Sequence, residues 1–172
     1  MARKPDAAFI DRANKLGDAI DKATWDEIDK LVADAGKYGK DSVEMAYALW
    51  TKGRMARWSQ ERIGEGADSL DRAIALAQTR DLGPEVCSRW LRTLSVVRDD
   101  LGDAQRAIDA AERAHALAVP VKSKLHPETV AACAGLVHTM RLALHPVLPE
   151  LRALAAIWPT MSEAERKVQI EG

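Results

Sequence analysis

The sequence predicts an all-α fold of antiparallel helix pairs stacked as a solenoid, and three observations lead there. Period-2 alternation of β-branched and aromatic residues is nearly absent, while Ala, Leu, Arg, Asp and Glu dominate the 172 residues. Apolar residues recur instead at helical spacing, in segments punctuated by Gly, Pro or capping residues. Similar segments then return at a nearly constant step, the mark of units that bury their faces only against neighbours.

The first helix is expected over 5–21, with Pro5 at its start and Phe9, Ala13, Leu16 and Ile20 on one face. The second opens at Thr24-Trp25-Asp26-Glu27, a capping box in which hydroxyl and carboxylate each satisfy a free backbone amide, and it presents Ile28, Leu31, Val32 and Ala35. Asp41 is expected to cap a third helix carrying Val43, Ala46, Tyr47, Leu49, Trp50 and Met55 to about Gln60, and the Gly64 to Gly66 stretch to break the chain before a fourth over 68–80. Gly83-Pro84 starts a fifth, with Val86, Trp90, Leu91, Leu94 and Val97. Gly102-Asp103 turns into a sixth holding Ala107, Ile108, Ala111, Ala114 and Leu117, with Pro120 just past its end. A seventh runs over 126–144 from His126-Pro127-Glu128. His145-Pro146-Val147-Leu148-Pro149 interrupts it, and shorter helices follow over 150–158 and, capped at Ser162, over 161–170.

Charge and cysteine content exclude several function classes. Lys plus Arg (25) nearly cancels Asp plus Glu (26), and no segment forms a charged arm, so no field attracts nucleic acid or anionic lipid. Cys87 and Cys133 stand far apart in apolar helical patterns, which argues against a disulfide framework and for a reducing, cytoplasmic setting. The residues after Met1 form no signal-peptide apolar region. The least charged stretch, 129–140, is far shorter than the roughly 20 apolar residues that span a bilayer. One repeat domain over 1–172 is the expected organisation.

Within 88–119, Leu91, Leu94, Ser95, Gly102-Asp103, Ala107-Ile108, Ala111, Ala114 and Leu117 stand at spacings where small residues let two helices touch and glycine turns the hairpin. This pattern resembles the tetratricopeptide repeat. Corresponding starts at Phe9, Tyr47, Ser88 and Val130 give steps of 38, 41 and 42 residues, and hence repeats at 9–46, 47–87, 88–129 and 130–158 with a terminal helix over 161–170. Steps above the usual ~34 of the family, with Leu125-His126-Pro127-Glu128 opening the last repeat, resemble the kinesin-light-chain type.

The resemblance implies a right-handed superhelix with a concave groove, lined by the first helix of each pair, that receives a peptide or helix of a partner. Carried over by repeat position, the candidate partner-binding residues are Thr51, Met55 and Trp58, then Arg89 and Arg92, then His138 and Arg141. Arg89, Arg92 and Arg141 suit a carboxylate clamp, since the guanidinium fork pairs with carboxylates bidentately; the same arginines equally suit a solvated helix face. Trp50 and Trp90 fall at core positions. Trp58, beside Arg54 and Arg57, suits groove contact and simple packing alike.

Catalytic and metal signatures are missing from the sequence. His115, His126, His138 and His145 with Cys87 and Cys133 form no close ligand spacing, and there is no phosphate loop or nucleophile elbow. The acidic clusters at Asp26-Glu27-Asp29 and Asp99-Asp100-Asp103 lie at helix ends, where Asp26 and Asp103 complement the helix dipole. The expected function is therefore a non-catalytic adaptor or regulator, without cofactor, that binds a protein partner. Two alternatives stand beside it: a scaffold whose exposed helical faces complete a homo-oligomer, and an enzyme or small-molecule sensor with a pocket at the Pro146 to Pro149 interruption.

Overall fold

A computed structural model describes residues 3–118, and among these it contains six helices and no strand. They are α1 (Ala7–Asp18), α2 (Trp25–Gly36), α3 (Val43–Ala56), α4 (Ile63–Thr79), α5 (Pro84–Asp100) and α6 (Ala104–Ala118). The helices expected after residue 118, with His138, Arg141, Cys133 and the Pro146 to Pro149 interruption, lie outside the described residues.

Capping chemistry sets the starts. The Thr24 capping box is formed: Glu27 N donates to Thr24 Oγ1 at 3.3 Å and Thr24 N to Glu27 Oε2 at 2.8 Å. Glu27 is consequently held below the usual carboxylate range, first by the Thr24 amide. Two starts differ from expectation. Asp6, rather than Pro5, opens α1, its carboxylate accepting from the amides of Ala8 and Phe9. Ser42, rather than Asp41, caps α3, accepting from Met45 N at 3.1 Å. In both cases the residue whose oxygen reaches the N2 or N3 amide wins over its neighbour.

The larger difference concerns Gly64 and Gly66, which lie inside α4 rather than breaking the chain ahead of it. A Cβ at Gly66 would stand 2.1 Å from Ala56 Cβ, and one at Gly53 would stand 2.3 Å from Leu70 Cγ. Gly53 and Gly66 therefore mark where α3 and α4 touch. The turn lies earlier, over residues 57–62, and α3 ends at Ala56 instead of near Gln60.

Paired positions fix the helix directions. Gly53 faces Leu70 while Ala56 faces Gly66, so α3 and α4 run antiparallel. Ser88 Oγ donates to Ala114 O at 2.8 Å while Arg98 meets Asp103 at 3.6 Å, so α5 and α6 do the same. α1, α3 and α5 run parallel instead. Asp6 N donates to Glu44 Oε1 at 2.7 Å and Thr51 Oγ1 to Ala13 O at 3.1 Å, both 38 residues apart, which sets α1 beside α3. Tyr47 and Trp50 meet Trp90, and Arg57 meets Asp100, 43 residues on, which sets α3 beside α5.

One core cluster runs from Phe9 and Ala13 through Leu31, Leu49, Trp50, Leu70 and Ile74 to Trp90, Leu94, Val97 and Ala114. α6 contributes an almost purely alanine face, with Ala107, Ala110, Ala111, Ala114 and Ala118 buried, which lets it lie close on α5. A smaller cluster joins Ile20, Ile28 and Met55 where the ends of α1 and α3 meet the start of α2. Charged straps tie the helices outside the core. Lys52 bridges Glu65 at 2.5 Å, and Arg62 reaches Glu65 at 3.0 Å while covering the Trp25 ring at 3.8 Å.

Candidate functional site

Geometry brings two helical stripes to one cleft. Trp50, Arg54 and Arg57 lie at i, i+4 and i+7 along α3 and its C-cap, and Arg89, Arg92 and Val96 lie at i, i+3 and i+7 on α5, so each set shares a face. Because α3 and α5 run parallel, the two faces converge on a cleft of about 440 Å³. Asp18 and Ile20, just where α1 ends, close one side, and Trp58, in the turn after α3, stands at the rim.

The floor is aromatic. Trp50 is 2% exposed and stacks on Trp90 with centroids 5.7 Å apart and planes 14° from parallel, while Tyr47 meets Trp90 edge-on at 5.1 Å. Burial pushes the Tyr47 phenol up, with the nearby Arg89 charge opposing it. Two guanidiniums, of Arg54 and Arg89, each lie 5.1 Å from the Trp50 ring centroid, within cation–π range. Arg54 Nη1 also meets Asp18 Oδ1 at 3.2 Å, and Arg57 Nε donates to Asp100 Oδ2 at 2.9 Å. Arg89 Nε is buried with no hydrogen-bond partner among the described residues. Chemically the cleft is a half-buried cluster of planar cations over an indole floor, with its opening flanked by an exposed indole.

Among the expected site residues, Trp58, Arg89 and Arg92 come together here. Trp58 is 68% exposed, a large indole left in solvent beside Arg57. Thr51 and Met55 face elsewhere. Thr51 is fully buried, its hydroxyl directed at Ala13 O (3.1 Å) and Tyr47 O (3.0 Å), because its side chain lies between α3 and α1. Met55 is buried against Ile20 and Ile28. Neither offers surface to a groove. His138 and Arg141 lie outside the described residues.

Arg54, Arg57, Asp18 and the Trp50 floor are the parts that the carried-over positions missed. A signal for two of them is present in the sequence: Arg54-Met55-Ala56-Arg57 and Arg89-Trp90-Leu91-Arg92 are both Arg-x-x-Arg on a helix, and each places its two arginines on one face.

Two other clefts are less suited to a ligand. One of about 550 Å³ at the start of α3 is lined by Arg3, Lys4, Lys40 and Arg80 among others, but Arg3 meets Glu44 at 3.5 Å and Arg80 Nε donates to Asp41 O at 2.8 Å. Another, of about 410 Å³ between α1 and α2, has Leu16, Ala19 and Leu31 beneath Arg12, Lys15 and Lys30. There Arg12 is engaged by Asp34 at 2.9 Å, and Lys15 by Asp11 at 2.7 Å.

Among the described residues no group of three or more His, Cys, Asp or Glu is placed to hold a metal ion, and no helix is long and apolar enough to cross a membrane. No protein-family model, no curated protein and no solved structure matches the chain.

Proposed function

We propose that the protein is a non-catalytic protein–protein interaction module, a tetratricopeptide-like α-solenoid acting in the cytoplasm as an adaptor or regulator. It receives a peptide or helix of a partner on the face formed by α1, α3 and α5. The observation that carries the reading is the cleft itself: Arg54, Arg57, Arg89 and Arg92 over Trp50, with Trp58 exposed at the rim. Trp and Arg are residue types enriched among the side chains that carry most of the binding energy at protein interfaces. Further support comes from the parallel alignment of α1, α3 and α5, which suits a repeat in which the first helix of every pair lines one surface.

The test is affinity capture from the native cell with the wild-type chain, Trp58→Ala and the double replacement of Arg89 and Arg92 by Glu. A partner held by the wild type and lost by both variants is the expected result. Identical capture by all three, from chains of equal stability, removes the groove as the binding surface. Light scattering on the same samples separates this reading from self-assembly, in which the homo-oligomer itself is the product.

A further inference from the structure

If the α3–α5 cleft is a docking site, its charges specify what docks there. Among the described residues four arginines line it against a single lining carboxylate, Asp18, although the whole chain is nearly neutral. The lining cations of the described residues are all arginines, and a planar guanidinium fork is matched to carboxylate geometry in a way that an ammonium is not. Carboxylates of the described residues already meet Arg54 and Arg57. Asp18 sits 3.2 Å from Arg54 with its side chain 77% exposed, and Asp100 sits 2.9 Å from Arg57 at 34% exposed. Such solvent-facing bridges are weak and exchange readily. Arg89 is different. Its buried Nε has no acceptor among the described residues, and a guanidinium drawn out of water onto an aromatic ring regains most from an incoming anion.

We propose that the cleft takes an acidic peptide segment of a partner protein. One carboxylate pairs with Arg89 and others displace Asp18 and Asp100 from Arg54 and Arg57. The two aspartates thereby act as internal stand-ins for the ligand and hold its affinity down. Trp58 and Val96 supply the apolar contact that lets the segment lie along the cleft rather than touch it at one point. This rests on the docking reading above and adds to it the chemistry of the partner and a built-in competitor.

The experiment uses the full chain and a short fluorescent peptide of alternating Glu and Leu, with a twin in which every Glu is Gln, followed by anisotropy. The Glu peptide is expected to bind about tenfold or more tightly than its twin, and to weaken with added salt. Arg89→Gln weakens the Glu peptide about tenfold and leaves the twin unmoved, while Arg89→Lys restores only part of the loss. Asp18→Asn combined with Asp100→Asn tightens the Glu peptide by about two- to tenfold, the opposite of what a merely structural role for these bridges would produce. Urea midpoints of all variants confirm that each is folded.

The proposal is overturned if the twins bind alike, if Arg89→Gln has no effect, or if the aspartate variants leave affinity unchanged or lower it. A phosphoserine twin that outbinds the Glu peptide about a hundredfold assigns the cleft to a phosphate dianion instead. A mass above the monomer that disappears on Arg89→Gln assigns it to an acidic segment of a second copy. Twins that bind alike while cellular capture still depends on Trp58 remove only the acidic chemistry. Capture indifferent to both Trp58→Ala and Arg89→Gln removes the docking reading as well.

Discussion

Replacing Gly66 by Ala tests how closely α3 and α4 must approach. On an isolated helix the change is favourable by about 1 kcal/mol, because Gly is the poorer helix former. In the structure the added methyl would stand 2.1 Å from Ala56 Cβ and 3.3 Å from Gly53 O. Carbon atoms prefer separations of about 3.5–4.0 Å, so the helices must part by more than 1 Å. The obstructing atom is a Cβ fixed to the α3 backbone, with no flexible end to move aside. Overpacking of this kind costs about 1–3 kcal/mol or more, and the upper end applies because parting the helices also loosens Leu70 over Gly53. The net expectation is a destabilisation of about 2 kcal/mol, which lowers Tm by about 4–8 °C in a chain of this length.

Urea unfolding followed by circular dichroism measures it, and two companions fix the interpretation. Gly64→Ala, with nothing within 4 Å of its new methyl, should be stabilising by a few tenths to about 1 kcal/mol. Adding Ala56→Gly, itself costing about 1 kcal/mol, to Gly66→Ala removes the collision and should return stability to within about 0.5 kcal/mol of wild type, a non-additivity of about 3 kcal/mol. If Gly66→Ala raises the midpoint as Gly64→Ala does, the close packing of α3 on α4 is wrong.

Other expectations separate residues that hold the fold from those that serve the cleft. Thr51→Val removes a buried hydroxyl bonded to Ala13 O and should cost about 1 kcal/mol in urea unfolding while leaving peptide affinity unchanged. Trp58→Ala should shift stability by no more than about 0.5 kcal/mol yet abolish partner capture, because the ring is exposed. Trp90→Ala, at the buried centre of the ring stack, should cost about 3–5 kcal/mol by the same unfolding assay. Acid should weaken the fold through Asp34, whose carboxyl is held at about 2 by Lys37 first and Arg12 second. A carboxyl depressed in the folded state stabilises above its ordinary value of 3.8 and loses that contribution as pH falls toward 2. Asp34→Asn should therefore flatten the fall in urea midpoint over that window, and an unchanged acid slope would contradict the assignment.

Legibility in the sequence followed the range of the physics. The helical period, the Thr24 capping box and the Gly83-Pro84 start of α5 were readable because each depends on residues within about one turn. Ala13 meets Thr51 across α1 and α3 at a separation of 38 residues, the same as the expected step from Phe9 to Tyr47. Misreadings came where a local rule met a distant neighbour. Gly64 and Gly66 look like breakers until Ala56 is placed against Gly66, and Thr51 looks like a groove residue until Ala13 is placed beneath it.

By itself, then, the sequence determined that the described residues are helical, where α2, α5 and α6 begin, and that Trp50 and Trp90 belong to the core, since spacing and capping act within a single segment. Tertiary structure decided which of the candidate residues reach a common surface. Arg54 and Arg57 join Arg89 and Arg92 only because α3 and α5 lie side by side in parallel, and Trp58 faces solvent only because α3 stops at Ala56. Periodicity places a residue on a face of its own helix; what that face meets depends on how the neighbouring helices pack.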